Sequence, residues 1–573
     1  MKKHVLALSL LSLMIGGVVI PSLFTLLIPY HVFPFCGVAI SENRWDLSSP
    51  VQTLKTTSEG NNKRQITESP NPRPPGTPHA SIDILGDDIF HLTAMAESWP
   101  GNGSLADPYI IENYDISVTP PLPEGSGCIS IRNCWDVHFI IRGCLLEGST
   151  ETGYAGIYLQ DTRYAQVRNN IIRNNYYGIY VGTAVGFTIG QSEINLIEKN
   201  QIESNAVDGI HLWNISETTI VGNTIHDNKN GIFATTTNLS TIEDNICFSN
   251  DLDGIAFYSS DSNSLDNNTY TSNGDDGIQL NYSPTNSVSQ NNCSENLGHG
   301  LNIMFSDENE LQDNTCVMNQ LMGINLYFSM TNTLHNETCN LNQYHGLNVI
   351  HSNNSHIANA TCNQNLFSGI YLLFSYNTGI SQSICTQNRD GIHLAYSGDN
   401  SVTNCACSVN QLHGIVIYTA SITGNEVLWN DFSSNDLENA YDSSNSTRFE
   451  YNYYSDYTGT DTDNDGYGDT PYLLPGIAAN QDPHPLITPL NRQPGLGDST
   501  DYLTTSQSLV FAFKMVLCTI TVLFVISWFR LSSKNEPPFT ELSGDPLGRK
   551  ERNRKRNTRS INKMCDLLCD PRV

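Results

Sequence analysis

The chain has 573 residues, 15% of them charged, and a formal net charge of −29 at neutral pH. That length can bury a large core, and so acidic an exterior excludes nucleic acid as a general partner. Basic residues gather instead near the C-terminus, at Arg549, Lys550, Arg552, Arg554, Lys555, Arg556, Arg559 and Lys563.

At the other end, Lys2 and Lys3 precede an apolar stretch from Val5 to Ile28, the pattern of a signal peptide or signal anchor within residues 1–40. Residues 41–80 are polar and finish in a proline-rich run at 70–78, an extended and semi-rigid linker.

Residues 81–450 are repetitive. Twelve glycines, each followed by Ile or Leu, stand at positions 156, 178, 209, 231, 254, 277, 300, 323, 346, 369, 391 and 414, spaced by 22 or 23 residues except for one gap of 31. A period of that size marks stacked repeats. Short β-rich pieces such as Gly209-Ile-His-Leu-Trp213 and Gly369-Ile-Tyr-Leu-Leu373 alternate with Asn, Ser, Asp and Gly turns, which predicts strands rather than helices. The expected fold is all-β, a single-stranded parallel β-helix solenoid of about 13 coils with an N-terminal cap.

Three columns run down the repeats. Asn205, Asn228, Asn250, Asn273, Asn296, Asn319, Asn342, Asn365, Asn388 and Asn410 precede the glycines by three or four residues. Parallel strands stack about 4.8 Å apart, so these amides are placed to form a structural ladder. Three residues earlier stand Cys247, Cys293, Cys316, Cys339, Cys362, Cys385 and Cys407, with Tyr270 in the gap. They read as small buried side chains, with disulfides between coils or a soft-metal site as alternatives. The residue before each glycine forms the third column: Asp208, Asn230, Asp253, Asp276, His299, Met322, His345, Ser368, Asp390 and His413. Its polar variety predicts a solvent-facing corner, and Asp-Gly or Asn-Gly is also an ordinary turn pair. Beside it the aromatics Tyr158, Tyr180, Trp213, Phe233, Phe257, Tyr258, Tyr282, Tyr327 and Tyr371 suit stacking against sugar rings.

Residues 451–487 read as a C-terminal cap containing Asp461-x-Asp463-x-Asp465-Gly466-Tyr467-Gly468-Asp469. Alternate carboxylates, a backbone carbonyl from Tyr467 and a contact from Asp469 would hold Ca2+ in a structural role. Tyr472 stands where an EF-hand needs glutamate, so a different calcium loop is expected. A linker at 488–508 leads to an apolar run at 509–529, long enough for a transmembrane helix, and to a basic tail at 530–573. The positive-inside rule puts that tail in the cytoplasm, with a partner the sequence does not identify, and the β-helix outside. Ten Asn-x-Ser/Thr triplets fit an exported glycoprotein.

The lead-in Gly101-x-Gly-Ser-x-Ala-Asp-Pro-Tyr-Ile-Ile-Glu-Asn-Tyr-Asp-Ile116 resembles that of the NosD-type right-handed parallel β-helix proteins, many of which are archaeal surface proteins. The ending Asn452-Tyr-Tyr-Ser-Asp-Tyr-Thr-Gly459, the acidic loop, Asp469-Thr-Pro-Tyr472 and Asp482-Pro-His-Pro-Leu486 resemble that family's C-terminal signature. The resemblance covers residues 82–487 and implies a right-handed helix of the carbohydrate-binding and sugar-hydrolase type. The family takes its name from a periplasmic protein that helps load copper into nitrous oxide reductase. On this chain His299, Met322 and His345 are the copper candidates, with the outer pair about 10 Å apart by strand spacing.

Asp253, Asp275, Asp276 and His299, the last within Gly298-His-Gly300, also resemble the Asp, Asp-Asp and Gly-His-Gly elements of polygalacturonases. As catalytic residues, paired carboxylates about 6.5–9.5 Å apart would hydrolyse a glycosidic bond with inversion. The Arg-Ile-Lys element of that family is replaced by Met322-Gly-Ile-Asn325 and His345-Gly-Leu-Asn348. The leading expectation is therefore a membrane-anchored extracellular β-helix that binds polysaccharide or surface glycans. A polysaccharide hydrolase or lyase and a copper-binding maturation protein are the alternatives.

Overall fold

The computed structural model describes residues 76–490, apart from 120–125, 185–191, 419–422, 445 and 478. The apolar N-terminal segment, most of the first linker, nearly all of the second, the run at 509–529 and the basic tail lie outside the described residues. Among the described residues no helix is long and apolar enough to cross a membrane.

The repeats wind into a parallel β-solenoid. Two of its faces are sheets of 15 strands each, and every strand pairs in parallel with its equivalent one coil on. The first face carries strands such as Asp208–Ser216, Ile278–Asn281 and Asp390–Ala395; the second carries Thr219–Val221 and Ser264–Asp266. The third face is an 8-stranded sheet that ends at Thr269–Thr271 and resumes as a 4-stranded one at Ile384–Thr386. Between them it continues as single bridges from Thr269 through Asn292, Thr315, Thr338 and Thr361 to Ile384.

Alternation within each strand sends every second residue inward. Ile232, Ile255, Ile278, Leu301, Ile324, Leu347 and Ile370 stack in register along the first face, all fully buried. The cysteine column is the inward position of the third face, in register with Ile225 above and Phe432 below. All eleven cysteines among the described residues are free and buried. Burial pushes the thiols of Cys316, Cys339, Cys362 and Cys385 well above their ordinary range. These are protonated core side chains, as expected of stacked small residues, and not the thiolates a soft metal needs.

The glycine column faces the cysteines. A Cβ added at Gly300 would lie 2.6 Å from the Gly323 carbonyl oxygen and 2.7 Å from Cys316 Cβ. Glycine is there for space, and the residue before it begins a strand at Asp208, Asn230, Ser368, Asp390 and His413, whereas Asp253, Asp276, His299, Met322 and His345 lie just ahead of one. The solvent-facing corner expected for that column is also corrected. Asp208, Asp253, Asp276 and Asp390 are 2%, 6%, 1% and 5% exposed. Asp253 and Asp276 are drawn in because they accept backbone N–H groups, as set out below, whereas Asp208 is held by His211 Nδ1 and the Asn230 side-chain amide and Asp390 by His413 Nδ1.

The asparagine ladder forms as expected. Asn296 donates through Nδ2 to Asn319 Oδ1 at 3.3 Å and to the Tyr270 carbonyl at 3.0 Å, while its N–H donates to the same Asn319 oxygen at 3.0 Å. Asn250, Asn273, Asn342 and Asn365 repeat the pattern. Two further corners carry ladders of their own, one through Asn245, Asn268, Asn291 and Asn314, the other through Asn263, Asn286 and Asn309. The second of the three is interrupted by Glu337, a wholly buried carboxyl that accepts from Asn314 Nδ2 at 3.2 Å.

Both ends are closed. The helix Asp87–Glu97 lays Phe90 and Ala94 over the first coils, with Phe90 5.0 Å from Phe139 ring to ring. At the far end Tyr454 and Tyr472 stack at 3.8 Å. There Asp482 terminates a ladder by accepting the N–H and side-chain amide of Asn452, each at 3.0 Å, and the Tyr454 hydroxyl at 3.2 Å.

Candidate functional site

The site lies on the outer side of the first face. In Ile278-Gln279-Leu280 the flanking residues point inward, so Gln279 points out. Strand register continues that outward row through Ala256, Gln279, Asn302, Asn325, Asn348, Tyr371 and His393. Outward residues on a flat sheet are open to water. Here Gln279, Asn302, Asn325 and Asn348 are 8%, 7%, 8% and 1% exposed, so the row is the floor of a recess.

The floor is polar and directional. Asn348 Nδ2 donates to Asn325 Oδ1 at 2.7 Å, Asn325 Nδ2 to Asn302 Oδ1 at 2.9 Å, and Asn302 Nδ2 to Asp276 Oδ2 at 2.7 Å. Three amides thus aim their nitrogens towards one carboxylate. Two acceptors are left over, Asn348 Oδ1 and Gln279 Oε1, both shielded from water and without a hydrogen-bond partner. These amides repeat every 23 residues, which, with the Ile-x-Leu alternation, is the signal by which the sequence could have given them away.

Beside the floor runs the column before the glycines. The Asp253 N–H donates to Asn230 Oδ1 at 3.3 Å, the Asp276 N–H to Asp253 Oδ1 at 3.0 Å, and the His299 N–H to Asp276 Oδ1 at 2.7 Å. Asp253, Asp275 and Asp276 each place one oxygen within 4.8 Å of the others. Burial is the main cause of a raised pKa in all three, bringing Asp276 to about 6 against the hydrogen bonds from His299 and Asn302. Desolvation takes His299 down to about 4, so it is neutral at pH 7. The structure does bring the four expected catalytic residues together, but the carboxylates stand closer than the separation that admits an inverting water.

Two of the copper candidates have one ring nitrogen engaged by backbone. His299 Nδ1 accepts the Met322 N–H and His345 Nδ1 accepts the Ser368 N–H, each at 3.2 Å, so these lone pairs are occupied by backbone. Among the described residues, two groups of three or more His, Cys, Asp or Glu side chains lie close enough to share a metal, and both consist of aspartates. Such donors suit a hard cation rather than copper.

The second group is the expected loop. Asp461, Asp463 and Asp465 come together, with Asp461 accepting the N–H groups of Asp465 and Gly466 at 3.1 and 3.0 Å. Gly466 takes φ 92°, which favours glycine. The Asp469 carboxylate accepts from the Thr462 N–H at 2.9 Å and from its hydroxyl at 2.5 Å, and is not one of the three grouped aspartates. The threonines give it donors that the acidic cluster cannot. The Tyr467 N–H donates to Asp465 Oδ1 at 2.9 Å.

The aromatics also differ from expectation. Phe257 is wholly buried. Tyr158 and Tyr180 stack face to face at 4.6 Å, and His211 and Phe233 continue the stack at 5.4 and 5.3 Å. An unforeseen ladder at one left-handed corner joins Tyr282, Phe305, Phe328, His351, Phe374 and Tyr396, with centroids 4.5–5.6 Å apart. Rings stacked along the solenoid axis cover one another's faces and leave only edges for a sugar. Tyr282 is different. It is 59% exposed, and the equivalent corner one coil earlier is Ser259, so one ring face is free.

Two family descriptions match the chain. "Right handed beta helix region" matches residues 109–251, 155–316 and 208–359, and "Periplasmic copper-binding protein (NosD)" matches 322–470. No curated protein sequence matches. Among solved structures, the A-module of the Azotobacter vinelandii mannuronan C-5 epimerase AlgE4 is 14% identical over 63% of this chain and 93% of its own, with a TM-score of 0.35. The Streptococcus pneumoniae surface adhesin PfbA is 10% identical over 56% of this chain and 86% of its own, with a TM-score of 0.31.

Proposed function

Because this chain is a right-handed β-helix repeat protein of the NosD type, we propose that it works as a binding surface, holding polysaccharide or a surface glycan along the recessed amide row. The observation that carries this is the floor itself, in which buried acceptors on Gln279 and Asn348 have no donor. Sugar hydroxyls are donors spaced along a chain, and an extended polymer matches a row that runs across successive coils. Tyr282 offers the accompanying ring face. We place the β-helix outside the cell, held by the run at 509–529 with the basic tail inside. We assign the Asp461, Asp463 and Asp465 loop a structural Ca2+.

Polysaccharide cleavage is the second reading, favoured by the adjacent buried carboxyl groups of Asp253 and Asp276. Copper delivery, suggested by the NosD description at 322–470, is the third reading. The test uses the full-length protein against a panel of neutral and acidic polysaccharides, recording retention and newly released reducing ends. Retention without release, lowered by Tyr282→Ala, supports the binding role. Release abolished by Asp276→Asn would replace it with an enzyme. Neither retention nor release would end the glycan reading.

A further inference from the structure

Asp253, Asp275 and Asp276 crowd together without a countercharge. None of the arginine ion pairs among the described residues involves them. The backbone ladder does not require them either. It asks each rung for one acceptor, and Asn230 supplies that to Asp253 with a neutral amide. Asp276 does use both oxygens, on His299 and Asn302, but Asp253 takes one ladder N–H that an amide could accept and the ladder asks nothing of the Asp275 side chain, so the grouping of all three carboxylates needs another purpose.

Gln279 is a second and separate sign. It is 8% exposed and lies three residues after Asp276, in register with Ala256, which lies three residues after Asp253. Its side chain reaches Asp276, yet its Oε1 is shielded from water and has no hydrogen-bond partner. A carbonyl oxygen shielded from water beside Asp276, which is itself grouped with two more carboxylates, can take a cation as well as a hydroxyl donor.

We propose that Asp253, Asp275, Asp276 and the Gln279 carbonyl hold a divalent cation of the calcium class, and that the cation recruits the carboxylates of acidic polysaccharides to the recess. Two oxygens bound to one Ca2+ at about 2.3–2.6 Å can be at most about 5 Å apart, which the 4.8 Å grouping satisfies. The donors are all hard oxygens, and Ca2+ takes about 6–8 of them, leaving positions for water or a sugar carboxylate. The bridge also answers a problem of charge. A chain of net charge −29 repels a polyanion, and a bound cation reverses the sign where the polymer must lie. The cation site stands on its own residues, whereas the acidic-polymer half rests on the glycan reading above.

The experiment is calcium titration calorimetry on the full-length protein, with Asp465→Asn to disable the loop in the C-terminal cap. In that background we expect one remaining calcium site, weakened about tenfold or more by Asp275→Asn and by Gln279→Leu. Asp275 is exposed, so its replacement leaves the coil intact, which far-ultraviolet circular dichroism checks. No remaining site, or an unchanged isotherm in both double variants, overturns the proposal. The same samples are then tested for retention of polygalacturonate and a neutral glucan, with calcium and with EGTA. Polygalacturonate held only with calcium supports both halves. A neutral glucan held without any calcium in the recess preserves the glycan reading and overturns the cation. Calcium in the recess with neither polymer held preserves the cation site and ends the glycan reading.

Discussion

Two of the asparagine rows on this solenoid, one at a corner and one on the outer face, differ in how they end. The corner row through Asn273, Asn296 and Asn319 is closed: each side chain accepts from the coil before and donates to the coil after, and the row continues beyond them through Asn342, Asn365 and Asn388. The outer row through Asn302, Asn325 and Asn348 is open. It begins on a carboxylate and finishes on an oxygen without a donor. Buried polar groups in a purely structural network are satisfied. The open row therefore marks the surface meant for something else, while the closed row holds the coils in register.

That contrast can be broken most forcefully from the interior. Gly300→Ala would push a Cβ against the Gly323 carbonyl and Cys316, neither of which can yield without moving a strand. We expect a loss of about 3 kcal/mol or more, read as a lowered Tm and earlier proteolysis within the solenoid. Asn296→Leu follows. It strips the Asn273 N–H and the Tyr270 carbonyl of their partners in a fully buried corner, at a cost of about 2–3 kcal/mol. Glycan retention at a temperature where the variant is folded should be unchanged.

Glu337 sharpens the comparison from the opposite direction, because it is the flaw in a closed row. Burial holds its carboxyl well above the ordinary range, against the hydrogen bond from Asn314. Its folded-state pKa exceeds its unfolded one, so its full contribution is present below the unfolded value near 4.5. As pH rises above that, the folded state keeps a proton the unfolded chain has lost, and stability falls by about 1.4 kcal/mol per pH unit until the folded pKa is passed. Glu337→Gln removes this slope. The variant should therefore melt higher than wild type at pH 7, with the gap shrinking towards pH 4.5; a gap independent of pH would rule the account out.

Most of the closed structure was legible in the sequence, because its causes repeat. The glycine period, the asparagine corner and the cysteine stack each need one residue type at one place in every coil, and each came through as a column. Glu337 breaks a column that the sequence conceals, since Asn245, Asn268, Asn291 and Asn314 sit among so many asparagines. The open row was hidden for a similar reason: nothing in a lone asparagine tells a floor from a corner until strand alternation assigns it a side. The aromatic face misled in another way. Composition put rings on the surface, but parallel register laid them on each other, and stacking geometry decides which faces a ligand can reach.

The smallest stability effect belongs to the open row and carries the sharpest functional contrast. Asn325→Leu cuts the amide chain in the middle, freeing Asn302 Oδ1 and Asn348 Nδ2. Both look into a recess rather than the core, where water can take the vacated place, so the cost should stay within about 1 kcal/mol. Binding should suffer more. Without Asn325, the two remaining amides no longer share one orientation, and the acceptor on Asn348 loses the chain that fixes it. We expect the midpoint of polysaccharide retention to weaken by about tenfold, or 1.4 kcal/mol, with Tm almost unmoved. A variant that loses stability as Asn296→Leu does, yet binds as wild type, would mean that the two rows do the same job and that the open end is only where the ladder stops.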